Sequence, residues 1–221
     1  MTMPHTAEWS AATTRGTYRA EVEDLRDALA DAARDGRWSR VFELIASAPH
    51  WISANDTRLG GPSGYTPLHQ AAWHGADGEV VTRLLGLGAW RTLRTSSGER
   101  AVDIAAARGH ARLLDRLRPV AHHPLPPATV AAVERRLHAL MQEDSHGLVA
   151  KHRLKLPPVE ILTELADPKL WVPVPGMYGG FKIRLEDGAL IVESWSRVVG
   201  GSGRRHRITP DATTLLAEGF V

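Results

Sequence analysis

The side chains best suited to chemistry lie near the C-terminus, beside two glycine-rich segments. Glu193 offers a carboxylate and His206 an imidazole, groups that general acid–base catalysis uses often. Arg197 and Arg205 offer guanidinium groups, which bind carboxylates and phosphates through two parallel hydrogen bonds. Glu193 and His206 are therefore the candidate catalytic residues. The candidate ligand-binding residues are Tyr178, Trp195, Arg197, Arg205 and His206.

The two glycine-rich segments could form the walls of such a site. Gly200-Gly201-Ser202-Gly203 precedes a run of basic residues, and segment 174–180 carries Tyr178. Consecutive glycines can point backbone N–H groups at an anion. The first segment lacks the Gly-Lys-Ser/Thr ending of a nucleotide phosphate loop, however. A hairpin turn followed by a charged edge strand explains the same residues, so both interpretations stay open.

No further arrangement of residues is typical of a known catalytic class. The sequence has no Ser-His-Asp order, no paired-carboxylate spacing and no dinucleotide-binding loop. It has no cysteine, which excludes disulfides, thiolate metal sites and a cysteine nucleophile. Glu134 and His138 lie four residues apart on one predicted helical face, but an ordinary i,i+4 pair explains them. We expect neither a metal nor a cofactor, and whether the chain is an enzyme stays open.

Composition indicates an ordinary globular protein. Apolar residues make up 43% of the 221-residue chain and charged residues 24%. No apolar run approaches the roughly 18 residues that a bilayer-spanning helix needs, and no secretory signal is visible, so the expected compartment is the cytoplasm. The balance of 27 basic against 25 acidic residues argues against a nucleic-acid partner.

The candidate ligand site would rest on a small β-sheet. Apolar and charged residues alternate over 181–186, Asp187-Gly188 is a strong hairpin signal, and 190–199 reads as the returning strand. This turn places Lys182 opposite Glu193 and Ile183 opposite Val192. The face carrying Ile183 should be buried. A third strand over 204–208 and a closing helix over 213–218 complete the expected unit.

The preceding part of the chain shows helical periodicity and an internal repeat. Gly36, Gly75 and Gly109 each separate two short amphipathic segments. The middle copy reads Gly-Tyr-Thr-Pro-Leu-His over 64–69, then Ala-Ala-Trp-His-Gly over 71–75, and then Val-Val-Thr-Arg-Leu-Leu over 80–85. These glycines predict tight turns between the paired helices.

The motifs of the middle copy resemble those of the ankyrin-repeat family. The resemblance covers about residues 24–119, or two and a half to three repeats, although Trp90-Arg91-Thr92 departs from the usual pattern of the family. It implies stacked helix pairs, binding without catalysis, and a protein partner. Residues 120–221 look like the tails of predicted actinobacterial ankyrin-repeat proteins. Aromatic and arginine side chains, which are over-represented in binding hot spots, give the candidate partner-binding residues Tyr65, Trp73, Trp90, Arg91 and Arg94.

These observations combine into one expected architecture. The fold class is mainly α: a short ankyrin-repeat solenoid of helix pairs, followed by a small α+β domain with an antiparallel β-meander. The expected division is a loose leader (1–14), the repeats (15–119), a Pro-rich linker (120–128) and the C-terminal domain (129–221). The expected function is protein binding through the repeat surface, with the C-terminal domain as cap and specificity element. The alternatives are a small enzyme, or a protein that binds a small anionic ligand at its C-terminal glycine-rich loops. The aromatic side chains of the repeats could also serve only internal packing.

Overall fold

A computed structural model describes residues 7–197 and 202–219 of the chain. These residues form two compact units. One, the helical unit, comprises Thr13–Val120. The other, the sheet unit, comprises residues 7–12 together with the described part of 121–219.

The helical unit consists of short helices that pack in pairs. The first helix of each pair also packs against the first helix of the next pair, so α1, α3 and α5 lie side by side. A 3-10 turn, Ala111–Leu113, leads directly into the last helix. The helices are α1 (Ala20–Arg34), α2 (Trp38–Ser47), α3 (Pro67–His74), α4 (Gly78–Gly86), α5 (Ala101–Ala107) and α6 (Leu114–Leu117).

The turn before α3 explains why that helix begins where it does. Pro67 occupies the first helical turn, where its missing N–H removes no helical hydrogen bond. The Thr66 backbone N–H donates to Nδ1 of the buried His69 ring, 3.2 Å away. Nε2 of the same ring lies 3.2 Å from the Leu93 carbonyl oxygen. His69 therefore ties the start of α3 to the following loop. At its other end α3 stops at Gly75, which adopts the left-handed φ of 58°.

The core of the helical unit alternates large and small apolar side chains. Leucines fill the space between helices, and alanines let neighbouring helices approach closely. The fully buried leucines of this unit are Leu29, Leu68, Leu84, Leu113 and Leu117. The alanines at 0% exposure include Ala32, Ala33, Ala71, Ala72 and Ala105.

The sheet unit is built on a six-stranded sheet in the order β1-β2-β3-β4-β5-β6. The first pair is parallel, and every later pair is antiparallel. Helices α7 and α9 contact the sheet. The elements are β1 (Ala7–Glu8), α7 (Pro127–Asp144), α8 (Leu148–Lys151), α9 (Glu160–Glu164), β2 (Lys169–Val174), β3 (Gly179–Glu186), β4 (Ala189–Ser196), β5 (Ser202–Ile208) and β6 (Thr213–Gly219).

The central hairpin confirms the register that the sequence predicts. Asp187 and Gly188 both have positive φ, and across the strands Lys182 faces Glu193 while Ile183 faces Val192. The face predicted to be buried is buried. Its residues are Phe181, Ile183, Leu185, Leu190, Val192 and Ser194.

The prediction of a mainly α ankyrin-repeat solenoid is wrong. The described chain is mixed α/β, because a six-stranded sheet organises one of its two units. The local sequence signals behind this prediction correctly indicated helices and glycine turns over residues 20–117. Such signals describe backbone geometry over a few residues, and they do not determine the class of the whole chain.

Two further expectations differ from the structure at the edges of the sheet. Residues 1–14 were expected to be loose, and residues 1–6 lie outside the described residues. Within the described part, β1 pairs with β2, and Trp9 is buried with its indole N–H donating to the Lys155 carbonyl. The expected closing helix over 213–218 is instead strand β6, paired along its length with β5. In both places pairing with a neighbouring strand supplies backbone hydrogen bonds that local propensity does not reveal.

Candidate functional site

A tryptophan near the end of α3 is partly exposed and makes two ring contacts within the helical unit. Trp73 is 43% exposed. The guanidinium carbon of Arg108 lies 3.8 Å from the centroid of its ring, and the ring of Tyr65 meets it edge to face at 6.3 Å. The cation–π and edge-to-face contacts hold the indole in one orientation while leaving much of it accessible.

Basic residues surround Trp73 and bond to backbone carbonyls. Arg108 Nε donates to the Trp73 carbonyl at 2.8 Å, and His110 Nε2 lies 3.3 Å from the same oxygen. Arg112 donates to the Gly75 carbonyl at 2.6 Å. Because these partners are neutral carbonyls, the positive charges of Arg108 and Arg112 are not cancelled by them.

Tyr65 links Trp73 to a small groove. Burial raises the pKa of the Tyr65 phenol, nearby Glu99 raises it further, and Arg108 opposes the shift. The groove has a volume of about 100 Å³. Its lining includes Arg34, Arg58, Pro62, Tyr65 and Gln70. Tyr65, Trp73, Arg108 and this groove are called the aromatic surface below.

The structure separates the five predicted partner-binding residues. Tyr65 and Trp73 contact each other, and Arg94 is exposed, with a hydrogen bond from its guanidinium to the Gly98 carbonyl at 2.9 Å. Arg91 Nε donates to the Arg116 carbonyl at 2.9 Å. Trp90 is only 6% exposed, so its ring is not available to a partner.

The position of Trp90 follows from the long connection before α3. Its backbone N–H donates to the Asn55 side-chain oxygen at 2.9 Å, and the Asn55 amide donates to the Gly88 carbonyl at 2.8 Å. These bonds draw 88–90 against the connection. Arg108 was not among the predicted partner-binding residues, although its position next to Gly109 is visible in the repeat.

The two candidate catalytic residues lie on opposite faces of the sheet. Glu193 pairs with Arg205, and its neighbour Val192 pairs with His206. Because side chains alternate along a strand, Glu193 and His206 point away from each other. The structure therefore does not bring them together as an acid–base pair.

Glu193 instead lies among three basic side chains. Its carboxylate is 3.0 Å from an Arg205 nitrogen, 3.5 Å from Arg184 and 4.0 Å from Lys182. Cross-strand ion pairs of this kind position the guanidinium groups. The face of the sheet on which they lie is called the outer face below.

His206 belongs to a buried polar cluster on the opposite face. Asp144, at the end of α7, accepts a hydrogen bond from Ser194 Oγ at 2.8 Å and one from Arg204 at 3.1 Å. His206 Nδ1 lies 3.9 Å from the same carboxylate and has no hydrogen-bond partner among the residues that the structure describes. Hydrogen bonds to Glu218 and Asp144 raise the pKa of Arg204. The cluster links α7 to the sheet. Sequence spacing gives no signal for Asp144, because it lies 60 residues before Arg204 along the chain.

Two of the remaining predicted ligand residues, Trp195 and Arg197, lie together at one end of the outer face. The rings of Trp171 and Trp195 stack with centroids 5.8 Å apart, and Arg197 lies 5.2 Å from the Trp195 centroid. Tyr178 is 76% exposed. Residues 200 and 201 of the predicted anion-binding segment lie outside the described residues.

Glu134 and His138 have separate structural partners. Glu134 accepts a hydrogen bond from the Val159 N–H at 2.7 Å, and His138 Nε2 lies 2.9 Å from the Pro157 carbonyl. In the described part of the chain, no group of three or more His, Asp or Glu side chains could hold a metal ion. Within residues 7–197 and 202–219, no helix has the length and apolar character needed to cross a bilayer.

Comparisons with known proteins correct the family assignment. No family model matches the chain, and neither does any curated protein. Among solved structures, it is similar to a chain in the complex of a predatory endopeptidase from Bdellovibrio bacteriovorus with an immunity protein. The identity is 20% and the TM-score 0.36, over 56% of this chain and 63% of that chain, so the match spans less than two thirds of the solved chain. The predicted membership of the ankyrin-repeat family is therefore wrong: no family model matches the chain, and a six-stranded sheet lies outside such a fold.

Proposed function

We propose that the chain binds a protein partner through the aromatic surface of its helical unit. The observation that carries this proposal is the geometry of Trp73, which is half-exposed yet held by Arg108 and Tyr65. Tryptophan, tyrosine and arginine dominate the residues whose truncation weakens protein interfaces most. A side chain held in its bound orientation also loses less conformational entropy on binding.

The charge around Trp73 favours an acidic partner segment. Arg108 and Arg112 bond to carbonyl oxygens, so their charges are available to a carboxylate on the partner. Complementary charges at an interface increase the association rate and select among partners. The groove beside Tyr65 adds a concavity large enough for one small side chain. The partner is therefore expected to present an acidic stretch that contains an apolar or aromatic anchor.

Site-specific crosslinking tests the proposal. A photoreactive phenylalanine analogue replaces Trp73 in one variant and Trp51 in another. Trp51 is a matched control because it is also a tryptophan of the helical unit and is 54% exposed. We expect position 73 to crosslink a discrete protein in cells, and position 51 to give background. The binding constant for the purified partner is then measured by calorimetry.

The expected loss on truncation follows from hot-spot energetics. Replacing Trp73 by Ala should weaken binding by about 2 kcal/mol or more, which is about 30-fold, and Arg108→Ala should weaken it by a similar factor. Trp51→Ala should leave the affinity within about 2-fold. Higher salt should weaken binding of the unchanged protein, since the partner is acidic. Equal crosslinking at positions 73 and 51, or an unchanged affinity of Trp73→Ala, would refute the proposal.

A further inference from the structure

The outer face of the sheet carries a partly exposed aromatic pair and an excess of positive charge. Register places the side chains of this face in rows across neighbouring strands: Trp171, Lys182, Glu193 and Arg205 form one row, and Lys169, Arg184, Ile191 and Arg207 form the next. Glu186 follows Arg184 on β3. Trp195 follows Glu193 on β4, and Arg197 comes directly after the end of that strand. Basic residues outnumber carboxylates on this face. The basic residues are Lys169, Lys182, Arg184, Arg197, Arg205 and Arg207, and the carboxylates are Glu8, which is in register with Trp171, Glu186 and Glu193.

Two glycines on β3 leave room for the two tryptophan rings to meet. Gly180 lies directly opposite Trp195 and opposite Pro173, so no side chain stands between the second and fourth strands at this level. A Cβ on Gly179 would overlap the Trp195 carbonyl oxygen, and one on Gly180 would overlap the Val172 carbonyl oxygen. The two indoles can therefore meet across β3, tilted by only 26°.

The tryptophan pair remains accessible beside its positive charges. Trp195 is 37% exposed, and Arg197 stacks near its ring. The side chain of Lys182 is 46% exposed, and its nitrogen is 4.0 Å from Glu193. Arg205 is closer to Glu193, at 3.0 Å. Glu193 thus neutralises Arg205 more fully than Lys182. Among the described residues, Lys182 and Arg197 are therefore the more available cations next to the indoles.

We propose that this face binds a nucleotide, with the base stacked on the Trp171–Trp195 pair and the phosphate at Lys182 and Arg197. Base–aromatic stacking tolerates any base, because every base has a π-face. A phosphate has three oxygens that accept charge-assisted hydrogen bonds from several donors at once. The overall charge balance argues against nucleic acid, but the charge of this face is local and one-sided. A free nucleotide and the end of a single strand share the required chemistry.

Calorimetric titration of the full chain separates ring recognition from phosphate recognition. The probes are AMP, adenosine, inorganic phosphate, benzoate and a five-residue oligoadenylate. We expect AMP to bind, and adenosine and phosphate each to bind at least 10-fold more weakly. Tighter binding of the oligoadenylate than of AMP would identify a strand as the source, and equal binding a free nucleotide. Benzoate binding as tightly as AMP would overturn the assignment, because it carries a ring and a charge but no phosphate.

Matched variants locate the site. Trp195→Leu and Lys182→Gln should each weaken AMP binding about 10-fold, because each removes one of the two recognised groups. Trp51→Leu and Lys151→Gln change the same residue types at exposed positions that are not part of this face, and they should leave binding unchanged. Circular dichroism checks that each variant is folded. Absence of AMP binding to the unchanged protein, or equal binding by Trp195→Leu and Trp51→Leu, would overturn the proposal. The crosslinking test at position 73 is independent of either result.

Discussion

Replacing Gly75 by Ala tests how the turn after α3 supports the aromatic surface. Gly75 has φ of 58°, and it is the residue at which α3 ends. A Cβ added there would lie 2.5 Å from the imidazole of His110, with a further ring atom at 2.8 Å. His110 is in turn 3.3 Å from the Trp73 carbonyl. The substitution therefore acts on the backbone and on the support of Trp73 together.

The expected loss of stability has two sources. A non-glycine residue in the left-handed region costs roughly 1 to 2 kcal/mol. Displacing the His110 ring loses its bond to the Trp73 carbonyl, which contributes about 0.5 to 1.5 kcal/mol. Alanine also reduces the entropy of the unfolded chain, and this offsets about 0.4 to 1 kcal/mol. The net decrease in the free energy of unfolding should be about 2 kcal/mol.

Urea denaturation followed by far-ultraviolet circular dichroism measures this decrease. Gly86→Ala is the matched control, because Gly86 ends helix α4, has no positive φ, and has open space around its Cβ position. Alanine favours a helix over glycine, so this control should raise stability by about 0.5 to 1 kcal/mol. The two substitutions are chemically identical and should have opposite signs.

A second variant separates the two sources of the stability loss in Gly75→Ala, the backbone strain and the clash with His110. His110→Ala removes the ring that a Cβ at position 75 would meet. In that background, Gly75→Ala should retain only the cost of the left-handed conformation, and the difference between the two backgrounds measures the clash. If Gly75→Ala changes stability by the same amount as Gly86→Ala, the turn geometry described for α3 is wrong.

Two further predictions concern single side chains of the helical unit. Arg26 and Asp56 form an ion pair at 2.6 Å, with both side chains at most 3% exposed, so Asp56→Asn should lower the free energy of unfolding by about 3 to 5 kcal/mol. The control is Glu43→Gln in the exposed Arg40–Glu43 pair, which should change the free energy of unfolding by less than about 0.5 kcal/mol. Equal effects of the two substitutions in urea denaturation would contradict this prediction. Because the pKa of Tyr65 is raised, the folded state favours the neutral phenol, and stability should fall as the pH rises above about 10. Tyr65→Phe should reduce that fall in denaturation series between pH 9 and 11, and an unchanged pH profile would refute the assignment.

The sequence predicted the elements whose signals are local. Asp187-Gly188 determined both the turn type and the register, since a two-residue turn leaves the flanking strands one pairing. The alternation over 181–186 identified the buried face correctly. Glycine at 75 marked a helix end for the same reason: few other residues adopt its backbone conformation readily.

Elements that depend on distant partners could not be predicted in this way. Strand β6 begins Thr-Thr-Leu-Leu, which suits a short amphipathic helix as well as a strand, and only pairing with β5 decides between them. The β1 segment has two residues, and its partner β2 lies more than 150 residues away along the chain. The sheet that these strands extend is what makes the fold class mixed α/β rather than mainly α.

The candidate sites also depended on contacts between residues that are distant along the chain. Glu193 and His206 have suitable chemistry, but sequence spacing across a loop does not state on which face each side chain falls, and register places them on opposite faces. The burial of Trp90 depends on Asn55, which is 35 residues earlier. Arg108 was missed because its contact with Trp73 joins two successive helix pairs.

The two proposed surfaces share one kind of contact, an arginine beside a tryptophan ring. Each presents a partly exposed tryptophan beside an arginine, with 3.8 Å from the Arg108 guanidinium to the Trp73 centroid and 5.2 Å from Arg197 to Trp195. A guanidinium over an indole stabilises the ring in one orientation while keeping its own charge. A ligand that meets such a pair gains apolar contact and an ionic contact without having to order either side chain first. The contacts around each pair determine which kind of ligand it suits. Arginines bonded to backbone carbonyls and a groove lie beside Trp73, whereas Gly180, which has no side chain, lies opposite Trp195 on the neighbouring strand. The first arrangement suits the irregular surface of a protein, and the second suits a planar base.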